Sequence, residues 1–386
     1  MLNAYAIILA AGYGSRMKQC KPTLHLGDKT ALQTLADAFI HEGVTPLVVT
    51  GYAREKVDQE CQRLKLRTIH NANFDDGMFS SVQTGCNALP DDADVFFITP
   101  VDIPLIRTRT IAMLLDSATQ TDVDVIHPIL DDSSLLALPD FLYATEAKRG
   151  HPPCMRASLK QAILQYSGEG GLANALDQHV GSTQYIPVID SGMLLDMDTP
   201  ADYENLCAMQ KLYTVPTMQE CYAIWNTVSL PTHIRKHSMS VADVAHIMLK
   251  KLPAISPLFK QTVIAGAMLH DIAKGMPQHA AVGAKQVTEF GFPALAQCIA
   301  DHSHLIPAKG AVTESEIIFL ADKFVEGTNK CTLDRRYKEK MACYAESPEV
   351  VAAIQQKLQE AQAVLDKVNL AAKVDFNTLL TANGTT

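Results

Sequence analysis

The hydrophobic pattern changes once along this chain, and that change limits what the chain can fold into. Through about residue 210, short apolar runs alternate with helical segments, and beyond that point the pattern is helical only. Alternating strands and helices predict an α/β domain with a doubly wound, mostly parallel sheet. The remainder predicts an all-α domain whose functional side chains lie on facing helices. Strands are expected at residues 5–9, 45–49, 67–70, 95–98, 123–126 and 183–188.

The length and composition set the outer bounds. A chain of 386 residues suggests two domains, and we place the boundary at the short linker 213–217, giving domains 1–212 and 213–386. The longest apolar runs fall well short of the roughly 20 residues that cross a bilayer. Nine cysteines without a CxxC pair, and no secretory signal pattern, favour a cytoplasmic protein. The net charge of −9 argues against a general nucleic-acid surface, and we expect no membrane partner.

A glycine loop follows the first predicted strand. Gly12 and Gly14 would let backbone N–H groups approach phosphate oxygens, while Arg16 and Lys21 supply positive charge for a departing pyrophosphate. The glycine spacing differs from the dinucleotide fingerprint, and the loop lacks the Gly-Lys-Ser/Thr end of a Walker loop. The glycines alone would also suit a simple strand-to-helix turn. Together with the basic residues, they predict a site for a nucleoside triphosphate.

Two aspartates follow apolar runs in this half. Val95–Val101 is interpreted as a strand that ends before Asp102, and the apolar run from Met193 repeats the arrangement before Asp198. Ligands of open α/β sheets lie beyond the carboxyl ends of the strands, and Mg²⁺ prefers one or two carboxylates plus phosphate oxygens. Either aspartate alone would suit a helix cap before proline. The pair favours a magnesium site at Asp102 and Asp198.

These motifs resemble the nucleotidyltransferases that mature molybdenum cofactor, over residues 1–210, and more the cytidylyltransferases than the guanylyltransferases. The latter usually carry a second glycine where Ala11 stands, and the added methyl leads us to expect CTP over GTP. Pro100 departs from the family, which more often has glycine there. The motifs that carry the resemblance are Leu9-Ala10-Ala11-Gly12-x-Gly14-Ser15-Arg16-Met17, Lys21, Val101-Asp102-Ile103-Pro104, Gly150-His151-Pro152 and Asp196-x-Asp198-Thr199-Pro200.

The resemblance implies a Rossmann-like fold and a set of site residues. It implies pyrophosphate contacts from Arg16 and Lys21, Mg²⁺ at Asp102 and Asp198, and a molybdopterin-type acceptor on the side of His151. An ordinary loop histidine is the alternative for His151. It further implies contact with a molybdoenzyme or its chaperone, and the fold leaves open a sugar-phosphate or polyol-phosphate acceptor. The implied nucleotide contacts are Leu9, Ala10, Ala11, Gly12, Gly14, Ser15, Arg16, Lys21, Ser80 and Ser81.

The second half carries a different constellation. His237 is predicted to open an amphipathic helix, His270 and Asp271 follow an apolar helix, and Asp322 lies in a third. Burying an adjacent His-Asp pair is costly unless the pair is metal-bound or otherwise paired. Imidazole and carboxylate ligands together suit a transition metal, and we expect one or two ions such as iron or manganese.

The order His237, His270-Asp271, Asp322 resembles the HD phosphohydrolase superfamily over residues 217–345. The resemblance implies a second ion near His279 and His302. The sequence of residues 320–327 is similar to that of HD proteins that cleave symmetric diadenosine tetraphosphate. A nucleotide phosphate is therefore the expected substrate, and Lys274 is either a phosphate contact or a surface lysine. The alternative is a nucleotide-sensing module without turnover.

Overall fold

The computed structural model describes residues 2–131, 148–179 and 181–382, and the chain divides into two compact units, Met1–Lys211 and Leu212–Thr386. In the first unit, strands and helices alternate along the chain. Its strands are β1 Ala4–Ala10, β2 His25–Leu26, β3 Lys29–Thr30, β4 Thr45–Thr50, β5 Arg67–His70, β6 Val95–Pro100, β7 Val125–Leu130, β8 Lys148–Arg149, β9 Cys154–Arg156 and β10 Thr183–Pro187. Its helices are α1 Ala31–His41, α2 Arg54–Leu64, α3 Met78–Asn87, α4 Thr108–Gln120, α5 Leu159–Gln165, α6 Gly171–His179 and α7 Pro200–Gln210.

The main sheet has the order β10-β7-β9-β6-β1-β4-β5, with β8 paired to β7. β1 lies in the middle of this order and pairs in parallel with both β4 and β6, so that Ile7 is opposite Leu47 and Ile98. β9 pairs antiparallel with β6 and with β7. The prediction of a mostly parallel sheet is therefore confirmed, with antiparallel pairing confined to the part of the sheet around β7, β8 and β9.

Helices cover both faces of this sheet because side chains alternate along β1. Ile8 points into one buried cluster with Leu32 of α1 and Leu114 of α4, and Ile7 points into the other with Val82 of α3. α3 approaches β1 closely at Gly85, where an added methyl would lie 2.3 Å from Ile7 Cγ2. This contact sets the distance between α3 and the central strand.

The apolar run before Asp198 is not a strand, so that part of the prediction is wrong. Residues Gly192–Leu194 form a single 3₁₀ turn, with Met193 and Met197 buried. A short apolar run shows that a segment is buried without showing its backbone conformation. Asp198 is nevertheless placed just before α7, where Thr199 caps the helix in a capping box with Asp202.

The second unit is built mainly from helices. It also contains a β-hairpin made of two strands of two residues each, which the prediction of an all-helical domain missed. Thr217 and Glu220 form the capping box of its first helix. His237 lies in the second turn of α9 and does not open it, because this helix begins at Thr232. The elements are α8 Met218–Thr227, α9 Thr232–Leu249, α10 Pro257–Leu269, α11 His279–Glu289, α12 Ala296–Asp301, α13 Glu314–Lys323, β11 Val325–Glu326, β12 Asn329–Lys330, α14 Leu333–Cys343, α15 Pro348–Ala372 and α16 Phe376–Ala382.

The core of this unit forms where α9, α10 and α13 pack together. Val244 of α9, Ala267 of α10 and Ile318 of α13 are fully buried. Within the described ranges, none of the helices is both long and apolar enough to span a membrane.

Candidate functional site

The glycine loop leaves the carboxyl end of β1 and lines a cavity of about 1250 Å³. Gly14 has a φ of +59°, and a side chain there would lie 2.8 Å from the carbonyl oxygen of Gln19. The amide of Lys18 donates to the carbonyl of Gly14, which closes the turn. Predicted nucleotide contacts that line the cavity are Leu9, Ala10, Ala11, Gly12, Gly14, Ser15, Lys21 and Ser81.

Lys21 brings the two predicted metal-binding aspartates together. Its Nζ lies 2.8 Å from Asp102 Oδ2 and 2.7 Å from Asp198 Oδ1. Arg16 Nη1 lies 2.8 Å from the other oxygen of Asp198. Burial would lower the pKa of Lys21, but hydrogen bonds to both carboxylates outweigh it and raise the pKa above its ordinary value. The hydrogen bond from Lys21 likewise lowers the pKa of Asp198, against the opposing effect of burial.

This arrangement fits a hard cation, with one complication. Carboxylate oxygens of Asp102 and Asp198 converge on one ammonium group, which shows that they can reach one positive centre. Two carboxylates beside a phosphate loop are a suitable donor set for Mg²⁺. Lys21, however, lies between those oxygens here, so it must move before Asp102 and Asp198 can share a metal ion.

Four predicted residues of this unit, Arg16, Ser80, His151 and Asp198, are not among the residues that line the cavity. Ser80 and Ser81 lie in the first turn of α3, and the side-chain amide of Asn71 donates to both hydroxyl oxygens at 2.8 and 3.0 Å. His151 is largely buried, and its backbone N–H donates to the carbonyl of Met193. Burial lowers the pKa of the His151 imidazole, and the negative charge of Asp102 partly opposes this. His151 therefore lies on the aspartate side of the site.

The methyl group of Ala11 is buried and faces Gly51. A Cβ atom placed on Gly51 would lie 2.7 Å from Ala11 Cβ, and Ala11 is only 4% exposed. The methyl therefore does not itself fill the cavity, so the steric reason for expecting CTP is weakened. The choice of base stays a prediction that depends on the resemblance.

An aromatic cluster beside the glycine loop was not predicted from the sequence. The rings of Tyr13, Tyr52 and Phe74 lie with centroids 4.6 to 6.4 Å apart, and the Tyr13 hydroxyl donates to Asp75. These three residues follow β1, β4 and β5, which are neighbours in the sheet. The usable signal was an aromatic residue a few positions after each of three parallel strands.

In the helical unit, Asp271 lies between two groups of histidines. Its Oδ2 is 3.5 Å from His270 Nε2 and 3.9 Å from His237 Nε2. Its Oδ1 is 3.4 Å from Nε2 of both His279 and His302. We call His237, His270 and Asp271 the first triad, and Asp271, His279 and His302 the second triad. Asp271 belongs to both.

Three of the histidines are oriented by the backbone. His237, His270 and His302 each place Nδ1 within 2.8 Å of a carbonyl oxygen, of Gly327, Ala267 and Ile299 respectively. A carbonyl can only accept, so each Nδ1 donates a hydrogen bond and each Nε2 faces the triads. Metal-binding histidines are usually oriented in this way.

The cluster also contains buried polar atoms without hydrogen-bond partners. Among the described residues, His270 Nε2 and Asp271 Oδ1 are buried and have no hydrogen-bond partner. Asp322 Oδ1 lies 3.3 Å from His237 Nε2 and 3.8 Å from His270 Nε2, so it faces the first triad. Buried polar atoms without partners are costly, and a metal ion would satisfy them. The residues therefore fit a transition-metal centre.

Electrostatics within the cluster favour the charged carboxylates. Burial would raise the pKa of Asp271, but the imidazoles of His270 and His302 hold it well below its ordinary value. Burial opposes protonation of His270, while Asp271 and Asp322 outweigh it and raise the pKa. For Asp322, burial is outweighed by the charge of Lys323 and by the hydrogen bond from His237, so its pKa is strongly lowered.

Two lysines contact these carboxylates. Lys274 Nζ lies 2.9 Å from Asp271 Oδ2, and its side chain is half-exposed, as a phosphate contact would need to be. Lys323, which we did not predict as a site residue, lies 2.7 Å from Asp322 Oδ2. Sequence adjacency of an aspartate and a lysine on a helix does not indicate contact, because neighbouring side chains point in different directions.

Two known families match the chain in separate ranges. The MobA-like NTP transferase domain matches residues 6–183, and the HD domain matches residues 234–326. Molybdenum cofactor cytidylyltransferase of Escherichia coli is 25% identical over 198 residues, 51% of this chain and 92% of that protein. The bifunctional protein GlmU of Corynebacterium aurimucosum is 32% identical over 142 residues, 34% of this chain and 29% of GlmU. The chain thus spans about a third of the GlmU relatives it matches.

Solved structures also resemble the chain over about half its length. Rv0371c from Mycobacterium tuberculosis has a TM-score of 0.43 at 18% identity, covering 54% of this chain and 98% of that protein. Molybdopterin-guanine dinucleotide biosynthesis protein A from Archaeoglobus fulgidus has a TM-score of 0.40 at 13% identity, with the same coverage.

Proposed function

Because this chain joins a MobA-like NTP transferase domain to an HD domain, we propose that it is a bifunctional enzyme. Its first activity transfers a cytidylyl group from CTP to a molybdopterin-type acceptor and releases pyrophosphate. Its second activity hydrolyses a phosphate ester or anhydride of a nucleotide at a metal centre. The domain types support nucleotidyl transfer, and the substrates and the hydrolysis are our proposal.

One observation carries the transferase proposal. Asp102 and Asp198, almost a hundred residues apart, meet at Lys21 beside a glycine loop that lines a cavity of about 1250 Å³. Negative and positive groups at one end of such a cavity suit a triphosphate with its metal ion. The match to the Escherichia coli cytidylyltransferase over 92% of that protein favours CTP and a molybdenum cofactor precursor.

The reaction requires positioning and charge neutralisation more than a covalent catalyst. The acceptor phosphate oxygen attacks the α-phosphorus of CTP, the bond to the β-phosphate breaks, and pyrophosphate leaves. In our proposal, the loop amides around Gly12 and Gly14 hold phosphate oxygens, and Arg16 and Lys21 neutralise the leaving pyrophosphate. Asp102 and Asp198 would hold Mg²⁺, which supplies further neutralisation of phosphate charge.

The transferase proposal is tested by a matrix of donors and acceptors. The protein is incubated with CTP, GTP, ATP or UTP and with molybdenum-loaded pterin, and pyrophosphate and the dinucleotide product are measured. A sugar phosphate and a polyol phosphate serve as competing acceptors. Product from CTP and the pterin supports the proposal. Product only with a sugar or polyol phosphate would replace the acceptor, and no product from any pair would overturn the transferase assignment.

The hydrolase proposal depends on Asp271. One carboxylate faces His237 and His270 through one oxygen, and His279 and His302 through the other, with distances of 3.4 to 3.9 Å. A carboxylate placed in this way can bridge two metal ions. Metal ions at such a centre polarise a phosphate and lower the pKa of bound water. Lys274, beside Asp271, would contact the substrate phosphate.

The hydrolase proposal is tested on purified protein reconstituted anaerobically with iron or manganese. Bound metal is counted per chain, and a panel of nucleotides that includes diadenosine tetraphosphate is assayed for hydrolysis. One or two ions per chain together with turnover support the proposal. Nucleotide binding without turnover of any panel member would favour a sensing module, and the absence of bound ions would overturn the metal centre.

A further inference from the structure

Lys323 is the last residue of α13, and its ammonium group touches both parts of the His/Asp cluster. Its Nζ donates to Asp322 Oδ2 at 2.7 Å and to the backbone carbonyl of His302 at 3.0 Å. The side chain is only 12% exposed, and Nζ lies 4.7 Å from the ring centre of Phe319. A largely covered lysine with two fixed acceptors is held in one place, unlike a surface lysine.

Because Lys323 contacts Asp322, the two carboxylate oxygens of Asp322 have different partners. Oδ2 is occupied by Lys323, while Oδ1 faces His237 at 3.3 Å and His270 at 3.8 Å. Asp322 therefore offers one oxygen to the first triad and cannot turn without breaking its contact with the lysine.

The contact with His302 reaches the second triad. The imidazole of His302 is fixed at Nδ1 by the carbonyl of Ile299, and its own carbonyl accepts from Lys323. Both the ring and the backbone of His302 are thus held, with Nε2 facing Asp271 at 3.4 Å. One ammonium group connects Asp322, which faces the first triad, with His302 of the second.

We propose that Lys323 is a positioning residue for both metal sites, which orients Asp322 toward one ion and His302 toward the other. This role rests on the proposed metal centre and goes beyond it. Lys323 also offsets part of the negative charge of Asp322, which is buried. Removing one partner of a buried charge pair leaves an uncompensated charge and is costly.

Arg336 contacts the backbone near Asp322 and not its carboxylate, so the effect of Lys323 on the carboxylate can be tested separately. The Arg336 guanidinium donates to the backbone carbonyls of Asp322 and Val325, so it holds the main chain at the end of α13. Lys323 is the group that touches the carboxylate. A change at Lys323 should therefore alter ligand orientation while Arg336 keeps the main chain in place.

The test uses full-length protein with Lys323→Met, Lys323→Arg and the control Lys285→Met. Lys285 is a surface lysine of α11 whose side chain is 78% exposed and faces Glu289 at 3.6 Å. Manganese is titrated into each metal-free protein, and the number of ions and their dissociation constants are measured. We expect Lys323→Met to weaken the binding of both ions by about 10- to 100-fold, which is the range for residues that orient metal ligands. Lys323→Arg should recover part of this loss, and Lys285→Met should match the wild type.

The outcomes separate this role from the proposed function. Wild-type protein that binds no manganese overturns the metal centre and the role of Lys323 with it. Wild-type protein that binds two ions, beside a Lys323→Met variant with the same affinities, overturns the role of Lys323 alone. A lower melting temperature with unchanged affinities would show a structural lysine only. If the methionine variant does not fold, Lys323→Gln replaces it, because the amide can donate to one acceptor without carrying the charge.

Discussion

Both units gather carboxylates beside lysines, but the carboxylates differ in burial and in the number of histidines around them. In the first unit, Asp102 and Asp198 are partly exposed, with side chains 21% and 40% accessible, and a lysine lies between them. In the second, Asp271 is 2% accessible and is surrounded mainly by histidines. Both sites could be described as acidic, yet their surroundings differ.

From this difference we expect a permanently bound ion in the second site only. An exposed pair already neutralised by lysine suits Mg²⁺ that arrives with its nucleotide, since Mg²⁺ keeps several waters and binds through phosphates. A buried carboxylate among histidines with backbone-fixed Nδ1 atoms suits a transition metal that stays bound. We therefore expect loss of metal to follow changes in the second site, and loss of transfer to follow changes in the first.

The largest expected effect is at Asp271. Asp271→Ala removes the residue shared by both triads, so we expect no stably bound metal. Hydrolysis should fall by more than about 100-fold, beyond the effect of losing a group that only orients ligands. Cytidylyl transfer should stay near the wild-type rate. Metal analysis and both assays on the same preparation check this, and equal loss of both activities would contradict the separation of the sites.

The reciprocal change is made at the exposed pair. Asp102→Asn and Asp198→Asn each remove one negative charge where the metal and phosphates would meet. We expect pyrophosphate release to fall by roughly 100-fold or more, with metal still bound in the helical unit. Initial rates at saturating Mg²⁺ check this. If both variants retain near-full transfer, the aspartates serve only as structural residues.

A smaller effect is expected at His279, which faces only the Oδ1 side of Asp271. His279→Ala should weaken the binding of one ion by about tenfold or more and leave the other ion bound. Titration of the metal-free variant with manganese, followed by counting of bound ions, checks this. Loss of both ions would show that the two triads behave as one site.

Base selection should show a further, smaller difference. We expect CTP to be used in preference to GTP by about tenfold, which corresponds to roughly 1.4 kcal/mol. The support is the resemblance to cytidylyltransferases, since the Ala11 methyl faces Gly51. Competition assays with both nucleotides in one reaction check this. A preference for GTP would move the chain toward the guanylyltransferases.

The smallest effect is the titration of Asp198. Lys21 lowers its pKa below the ordinary value of 3.8, so the pairing stabilises the fold above that value. This stabilisation is lost as the pH falls through the lowered pKa. Lys21→Met should raise the pKa of Asp198 toward its ordinary value. Carboxyl NMR titration without nucleotide checks this, and an unchanged pKa would show that the contact with Lys21 is not maintained in solution.

Much of the fold could be predicted because the central strands β1, β4 and β6 are almost entirely buried and therefore apolar, although the edge strand β5 is largely exposed. The predicted strand at residues 67–70 matches β5 Arg67–His70. Four other predicted strands agree with the observed ones to within two residues at both ends. The strand predicted at residues 123–126 overlaps only the first part of β7 Val125–Leu130. The run at Met193 failed because a buried turn and a buried strand are equally apolar. Hydrophobicity indicates that a segment is buried. Its backbone conformation also depends on tertiary contacts with distant residues, which the local sequence does not show.

Residue types in the candidate sites could be predicted better than their contacts. Lys21, Asp102 and Asp198 were expected near one triphosphate, but a direct contact of the lysine with both carboxylates was not. The contacts of Lys323 could not be predicted, because one of them is with the backbone of His302, which lies on another segment of the chain. Contacts between distant segments arise from tertiary packing and leave no local pattern.

The close approach at Gly85 has a consequence for how relatives of this chain can diverge. A methyl there would lie 2.3 Å from Ile7 Cγ2, so α3 would have to move away from β1 or residue 7 would have to become smaller. α3 carries Ser81, which lines the cavity, and β1 leads into the glycine loop, so such a movement would change the wall of the cavity at Ser81. Positions 7 and 85 should therefore change together over evolution, and a side chain gained at position 85 alone should displace α3 and, with it, Ser81.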